Sequence, residues 1–304
     1  MAYAIGTPGQ PWGESEIEQW RSAVRYYRSY QTEVVDHLYR LSDRFHIDNY
    51  GSLSHDPIRY SLFAVKTAQP NPELPWVLIT GGVHGYETSG VLGALSFLVN
   101  KAEQYEEKFN LVVIPCVSPW GFETINRWNY DTIDPNRSFK DGGLCEEAQF
   151  TMQYVAKHDI EPVMHIDLHE TTDTDATEFR PALAAKLGQK ETPTHIPDGF
   201  YLVGDRGNPQ DAFQARIIAA VESVTHIAPN DEEGCLLGDK ASQHGVVNYD
   251  AKLLGLCAGF TSARFTTTTE VYPDSESATR EECIAAQVVA VEAALEFVSE
   301  QINS

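Results

Sequence analysis

Positive charge is what this sequence has least of. Lys and Arg number 22 against 44 Asp and Glu, a formal charge of -22 over 304 residues. Nucleic acid and anionic lipid both select for basic surface, so neither is expected as a partner. A small substrate is not excluded, because the local charge of a cleft can oppose the net sign. Cysteine is scarce and scattered: Cys116, Cys145, Cys235, Cys257 and Cys283 form an odd set without a CxxC pair. That argues against a disulfide framework and for a reducing compartment. No apolar run reaches the roughly 18 residues that a membrane span needs. The stretch 1–12 carries neither a basic region nor an apolar run, so it does not read as a secretory signal. The expected location is the cytoplasm. GxSxG, a P-loop and a strand-linked GxGxxG are missing, which removes serine hydrolase and nucleotide-binding readings. Disorder is excluded by an apolar fraction of 42% and an aromatic fraction of 11%.

What is present is an alternation of apolar runs and helical periods. Residues 14–44 recur at three- and four-residue steps, with an expected break near Ser29 to Thr32. Asp48-Asn49-Tyr50-Gly51-Ser52 reads as a turn-rich patch. Strands are expected at 58–66, 76–80, 111–117, 163–168, 199–203 and 263–271. Helices are expected at 88–103, 145–157, 212–224 and 277–298. Residues 118–143 read as loop and 171–198 as irregular surface. This pattern predicts a single α/β/α domain with a mixed, mostly parallel central sheet. Residues 1–60 are expected as an N-terminal helical segment packed on a catalytic domain spanning 61–304. Ligands of such sheets bind at the carboxyl ends of the strands.

Two segments stand at such ends. Gly81-Gly82-Val83-His84-Gly85-Tyr86-Glu87-Thr88 follows a buried strand, and its glycines allow a sharp turn. His84 and Glu87 lie three apart at a helix start and can point to one side. In His165-Ile166-Asp167-Leu168-His169-Glu170, residues 165, 167 and 169 share a strand face, with His169 nearest the end. Two histidines, one carboxylate and an open fourth position make the ligand set of a catalytic zinc.

The sequence resembles the M14-type zinc carboxypeptidases, including their cytosolic branch. The resemblance is carried by Gly81 to Glu87, Ser118-Pro119-Trp120-Gly121-Phe122-Glu123, Asn126-Arg127, Asp134-Pro135-Asn136-Arg137-Ser138-Phe139, Ile166-Asp167-Leu168-His169 and Thr267-Thr268-Thr269-Glu270. These patches occur in the family's order, and residues 1–60 lie outside them. The resemblance implies a zinc carboxypeptidase-like fold and one Zn2+ per chain, held by His84, Glu87 and His169. It implies Glu270 as general base and Arg127 as the arginine that stabilises the developing oxyanion. It also implies Asn136 and Arg137 as the pair gripping a terminal carboxylate. Asp134 matches the acid that fixes the tautomer of His84, although an Asp before Pro135 also suits a turn. Tyr249 stands near the family's mobile substrate-binding tyrosine, in a local sequence that differs from it.

Other residues stay open at this point. His165 reads as packed or as a support behind the metal, Asp167 is ambiguous, and Arg264 reads as a solvated strand start. Asp173 and Asp175 read as a solvated loop. Ser118 and Pro135 depart from the family's usual residues, and residues 170–269 align poorly. The implied reaction is hydrolysis of the C-terminal amide bond of a peptide by metal-activated water. A zinc amidohydrolase of N-acyl amino acids, like aspartoacylase and succinylglutamate desuccinylase, would use nearly the same residues. A zinc-binding module without activity is a third reading, which an intact Glu270 argues against. In the two enzymatic readings the partner carries a free carboxylate.

Overall fold

Apolar runs at 76–80 and 111–114 have no polar face, so they need cover on both sides. A computed structural model, describing residues 3–191 and 195–302, provides it. The strands are β1 (Phe45–Ser52), β2 (Ser61–Thr67), β3 (Trp76–Gly81), β4 (Asn110–Ile114), β5 (Pro162–Glu170), β6 (Tyr201–Asp205), β7 (Cys235–Leu236), β8 (Asp239–Lys240), β9 (Val246–Tyr249) and β10 (Phe265–Val271). The helices are α1 (Glu14–Ala23), α2 (Asp36–Tyr39), α3 (Thr88–Asn100), α4 (Pro119–Thr124), α5 (Glu146–Lys157), α6 (Arg180–Lys186), α7 (Asp211–Val221), α8 (Ala251–Leu254) and α9 (Arg280–Ile302). Eight strands form one sheet in the order β1-β2-β4-β3-β5-β10-β6-β9, and β7 and β8 form a separate hairpin. The central pairs β4–β3, β3–β5 and β5–β10 are parallel, as is β6–β9. The pairs β1–β2, β2–β4 and β10–β6 are antiparallel.

Strand alternation sorts side chains between two cores. Val77, Ile79, Leu111, Val113, Met164, Ile166 and Leu168 join one core with residues of α3, α7 and α9. Leu78, Val112 and Ile114 point to the other face, against Ala148, Tyr154 and Val155 of α5. The sheet is therefore mixed, mostly parallel at its centre, and layered between helices. Among the described residues, no helix is long and apolar enough to cross a membrane.

The expected elements are corrected in four places. The first helix ends at Ala23, and helical structure resumes as a π-turn at Gln31–Val35 followed by α2. Between them the chain at 24–29 leaves the helix, earlier than the expected break. The turn-rich patch at 48–52 is strand: β1 pairs antiparallel with β2, with a register shift between Asn49 and Gly51. A bulge absorbs the Asn-Tyr-Gly sequence there, and pairing outweighs turn propensity. Thus residues 1–60 contribute a sheet strand as well as helix. Residues 118–143 contain α4, started by Pro119 at its first turn. Residues 171–198 contain a π-turn at Asp175–Phe179 and α6, again with a proline in the first turn; their portion at 192–194 lies outside the described residues.

The N-terminal segment is tied in by one buried acid. Glu123, on α4, accepts hydrogen bonds from Tyr30 N at 2.8 Å, Tyr60 Oη at 2.9 Å and Arg59 Nε at 2.6 Å. Glu123→Ala leaves the Tyr30 amide and Tyr60 hydroxyl buried without an acceptor, at a cost of about 1–3 kcal/mol for each such group. The expected loss is about 2–4 kcal/mol, read as a lower urea midpoint at unchanged m-value. A loss under about 0.5 kcal/mol would remove Glu123 from this role.

Candidate metal centre

The chain leaves β3 through Gly82, whose φ is +60°, and a Cβ there would meet Val91 Cγ2 at 2.6 Å. The backbone turns back across the sheet end and enters α3, with Glu87 at the N-cap position. His84 and Glu87 face each other across this turn, Nδ1 to Oε1 at 2.7 Å. β5 lies beside β3 in parallel and delivers His169 to the same point, with its Nδ1 2.7 Å from Glu87 Oε2. All three side chains are buried. One donor atom from each lies within 4.8 Å of the other two.

The donor set fits a metal ion. Although 2.7 Å from an imidazole nitrogen, Glu87 Oε2 has no hydrogen bond of acceptable angle among the described residues. A carboxylate oxygen this close to an imidazole nitrogen, without a hydrogen bond between them, is spaced as two ligands of one ion would be. Both histidines are also fixed from behind. His84 Nε2 lies 2.9 Å from Asp134 Oδ1, and His169 Nε2 lies 2.6 Å from Asp167 Oδ2. With the Nε2 protons on these carboxylates, both Nδ1 atoms face inward. Two imidazoles and a carboxylate, buried and with room for a further ligand, suit zinc.

The electrostatics agree. Burial raises the Glu87 pKa, but His169 and His84 outweigh it and hold the carboxyl at about 2. Burial likewise works upward on Asp134, and Arg127 with His84 overcomes it, holding Asp134 well below its ordinary value. Both acids are therefore ionised at neutral pH. Asp167 has a second anchor, the Thr80 hydroxyl at 2.6 Å. His165 sits behind that hydroxyl at 3.1 Å, and burial pushes it down to about 4, so it is a neutral packed histidine.

A cleft of about 340 Å³ opens beside these ligands. His84, Glu87, Arg127, Asn136, Arg137, Tyr249 and Glu270 all line it. β10 runs parallel to β5 with Glu270 in register with His169, so the carboxylate stands one strand over from the ligands. Its Oε2 accepts from Thr171 Oγ1 at 3.0 Å. Burial pushes Glu270 up to about 8, with His169 opposing and Glu87 and Asp175 adding. Arg127 is held on two sides, by Asp134 Oδ2 through Nε and by Asp175 Oδ1 through Nη1, both at 3.1 Å. Asn136 turns its Oδ1 to Cys257 N at 2.7 Å, which leaves its amide nitrogen for a ligand. Arg137 donates to Asn136 O at 2.6 Å and forms no ion pair among the described residues. Tyr249 ends β9 at the cleft, and burial together with Asp239 pushes its hydroxyl up to about 12.

Three site features go unassigned in the sequence. Asp175 belongs to no solvated loop: it is buried, accepts from Tyr86 Oη at 2.8 Å and holds Arg127. Nothing in its local sequence marks it, because the π-turn that buries it depends on packing. Asp167 could have been found from its place two residues before His169 on one strand face. The wall formed by Val203, Leu237, Leu254 and Leu256 comes from the poorly aligning stretch.

Residues 73–190 match the family model of the succinylglutamate desuccinylase/aspartoacylase catalytic domain. No curated protein matches the chain. Solved structures share its fold. A candidate metallopeptidase from Shewanella amazonensis SB2B aligns at 18% identity with a TM-score of 0.65, over 90% of this chain and 98% of that one. A metallo-carboxypeptidase from Pseudomonas aeruginosa, in complex with (2-guanidinoethylmercapto)succinic acid, aligns at 14% identity with a TM-score of 0.59, over 89% of this chain and 69% of that one. Bovine thrombin-activatable fibrinolysis inhibitor, in complex with tick carboxypeptidase inhibitor, aligns at 12% identity with a TM-score of 0.55, over 96% and 99%. The family match thus covers residues 73–190, and over most of its length the chain shares the fold of these metallopeptidase and carboxypeptidase structures.

Proposed function

We propose that this protein is a zinc-dependent hydrolase that cleaves the C-terminal amide bond of a peptide. The observation that carries the reading is one cleft bordered by a buried two-histidine, one-carboxylate set, a further carboxylate one strand over from it and an arginine with no ion pair among the described residues. His84, Glu87 and His169 would hold one zinc per chain. When bound, zinc supplies Lewis acidity toward a carbonyl oxygen and toward water. Glu270 takes the proton of the attacking water and returns it to the leaving amine. The positive charge that the neighbouring ligands are built to hold favours its carboxylate form. Arg127, fixed between Asp134 and Asp175, faces the oxygen on which negative charge develops. Asn136 and Arg137 grip the free carboxylate of the substrate, and Tyr249 closes over it. Asp134 orients His84.

A second reading is hydrolysis of an N-acyl amino acid, favoured by the family match at 73–190. Both substrates present a carboxylate next to an amide. The succinic acid derivative bound to the Pseudomonas neighbour agrees with a carboxylate-gripping cleft. Metal-replete protein assayed side by side on C-terminally varied peptides and on N-acyl amino acids separates the two.

Three measurements test the assigned roles. His84→Ala and His169→Ala should each lose the single zinc by metal analysis, whereas His165→Ala should keep it. Zinc retained in full by either of the first two would overturn the ligand set. Arg137→Lys should lose most activity, since an ammonium cannot offer the planar two-point fork; equal rates on a free and an amidated C-terminus would remove the carboxylate grip. Glu270→Gln keeps shape but cannot take a proton, so it should keep its zinc and its substrate affinity while turnover falls by about 10² to 10⁴. Loss of zinc in that variant would make Glu270 a ligand, and full activity would place the base elsewhere.

A further inference from the structure

The turn that carries His84 and Glu87 is gripped from behind by a residue far away in sequence. Arg28 lies in the segment between α1 and the π-turn, outside the matched stretch 73–190. Its Nη2 donates to Gly85 O at 2.8 Å and its Nη1 to Thr88 Oγ1 at 2.7 Å. Gly85 follows His84, and Thr88 follows Glu87. One planar guanidinium thus spans the residue after each ligand of the pair. Its Nε donates to Phe122 O at 2.5 Å, and its carbon stands 3.7 Å from the centre of the Phe122 ring.

The other side of the turn is equally confined. A Cβ on Gly85 would come within 2.0 Å of Gly121 C and Phe122 N, so this loop and α4 touch backbone to backbone. Tyr86 N donates to Asn126 O at 3.2 Å just beyond α4. Arg28 closes the arrangement by bonding the loop and α4 at once. Charge attraction does not explain its seat. A cation at the N-terminus of α3 opposes the helix dipole, and Arg28 forms no ion pair with a carboxylate among the described residues. Three oxygens in a fork-shaped array explain it, and only a guanidinium matches that array.

We infer that Arg28 is a positioning residue for the metal: by locking Gly85 and Thr88 it fixes the separation of His84 and Glu87 and so sets zinc affinity. This rests on the zinc reading proposed above. On this view the N-terminal segment is part of the metal site.

The test is zinc competition against a chromophoric chelator, using full-length protein stripped of metal. Arg28→Met and Arg28→Lys should bind zinc at least about 10-fold more weakly than wild type, the scale on which outer partners of a metal site act. Thr88→Val, which removes one acceptor and no ligand, should weaken binding in the same direction. Val221→Ala, a cavity in buried α7, should lower thermal stability and leave zinc affinity at the wild-type value. If Arg28→Met does not fold, Arg28→Lys and Thr88→Val decide. Affinity within twofold of wild type in both would overturn the inference, as would an equal loss in Val221→Ala. Wild type that binds zinc while His84→Ala does not confines such a failure to Arg28. Wild type that takes up no zinc at all fails the functional reading, and this inference falls with it.

Discussion

A carboxylate buried between two imidazoles governs the architecture of this site. Glu87 cannot be ionised inside a protein without compensation, because a bare buried charge is strongly penalised. Here His84 and His169 compensate it, and each imidazole leans in turn on another acid, Asp134 or Asp167. Five ionisable groups are thereby committed to one buried cluster. That commitment demands backbone fixed to a fraction of an ångström. The parallel pair β3–β5 provides one half of it, since Gly81 pairs with Leu168 and the next residue of β5, His169, stands beside the turn that leaves β3. The turn through Gly82 and Gly85 provides the other half, and its tightness is why neither position admits a side chain.

The same rule, that buried charge must be answered, organises the neighbouring arginines. Arg127 is answered by Asp134 and Asp175, so it is held rigidly and its charge is shared. Arg137 donates to a backbone carbonyl and forms no ion pair among the described residues, and burial pushes its guanidinium down from its ordinary value despite Asp134. The contrast suits two residues of the same type to different work. A guanidinium already paired suits stabilisation of partial charge that appears during a reaction. One left without an acid suits a full carboxylate that arrives with a ligand. In a chain of net charge -22, such an unpaired cation inside a cleft is a local inversion of the overall field.

What the sequence disclosed follows from the range over which each feature is determined. His84, Glu87 and His169 were legible because a glycine turn after an apolar run marks a strand end, and strand parity orders the residues of β5. Glu270 was legible through its motif, and β10 places it beside His169 as parity requires. β1 was not legible. Asn49, Tyr50 and Gly51 favour a turn locally, and only the partner strand β2 makes them extended. Asp175 was missed for a similar reason, since it is buried by Tyr86 and Arg127, residues about 90 and 50 positions away. Features set by neighbours in sequence could be read; features set by neighbours in space could not.

This division also separates chemistry from selectivity. The groups that would hold metal, move a proton and grip a carboxylate sit on the turn after β3, on β5 and β10 and on the loop at 126–137, each carrying a recognisable pattern. The cleft wall of Val203, Leu237, Leu254 and Leu256 sits on β6, the β7–β8 hairpin and the segment around α8, which carry none. Apolar walls are interchangeable in composition so long as volume is kept, so they leave little trace in sequence. Ion-binding centres tolerate no such exchange, because each ligand has a required charge and reach. At 12–18% identity to structural neighbours that share its fold, the candidate centre of this chain is still legible in the sequence and the apolar wall is not. The apolar wall of this cleft is consequently a property of residues 201–256, where packing and not motif decides its shape.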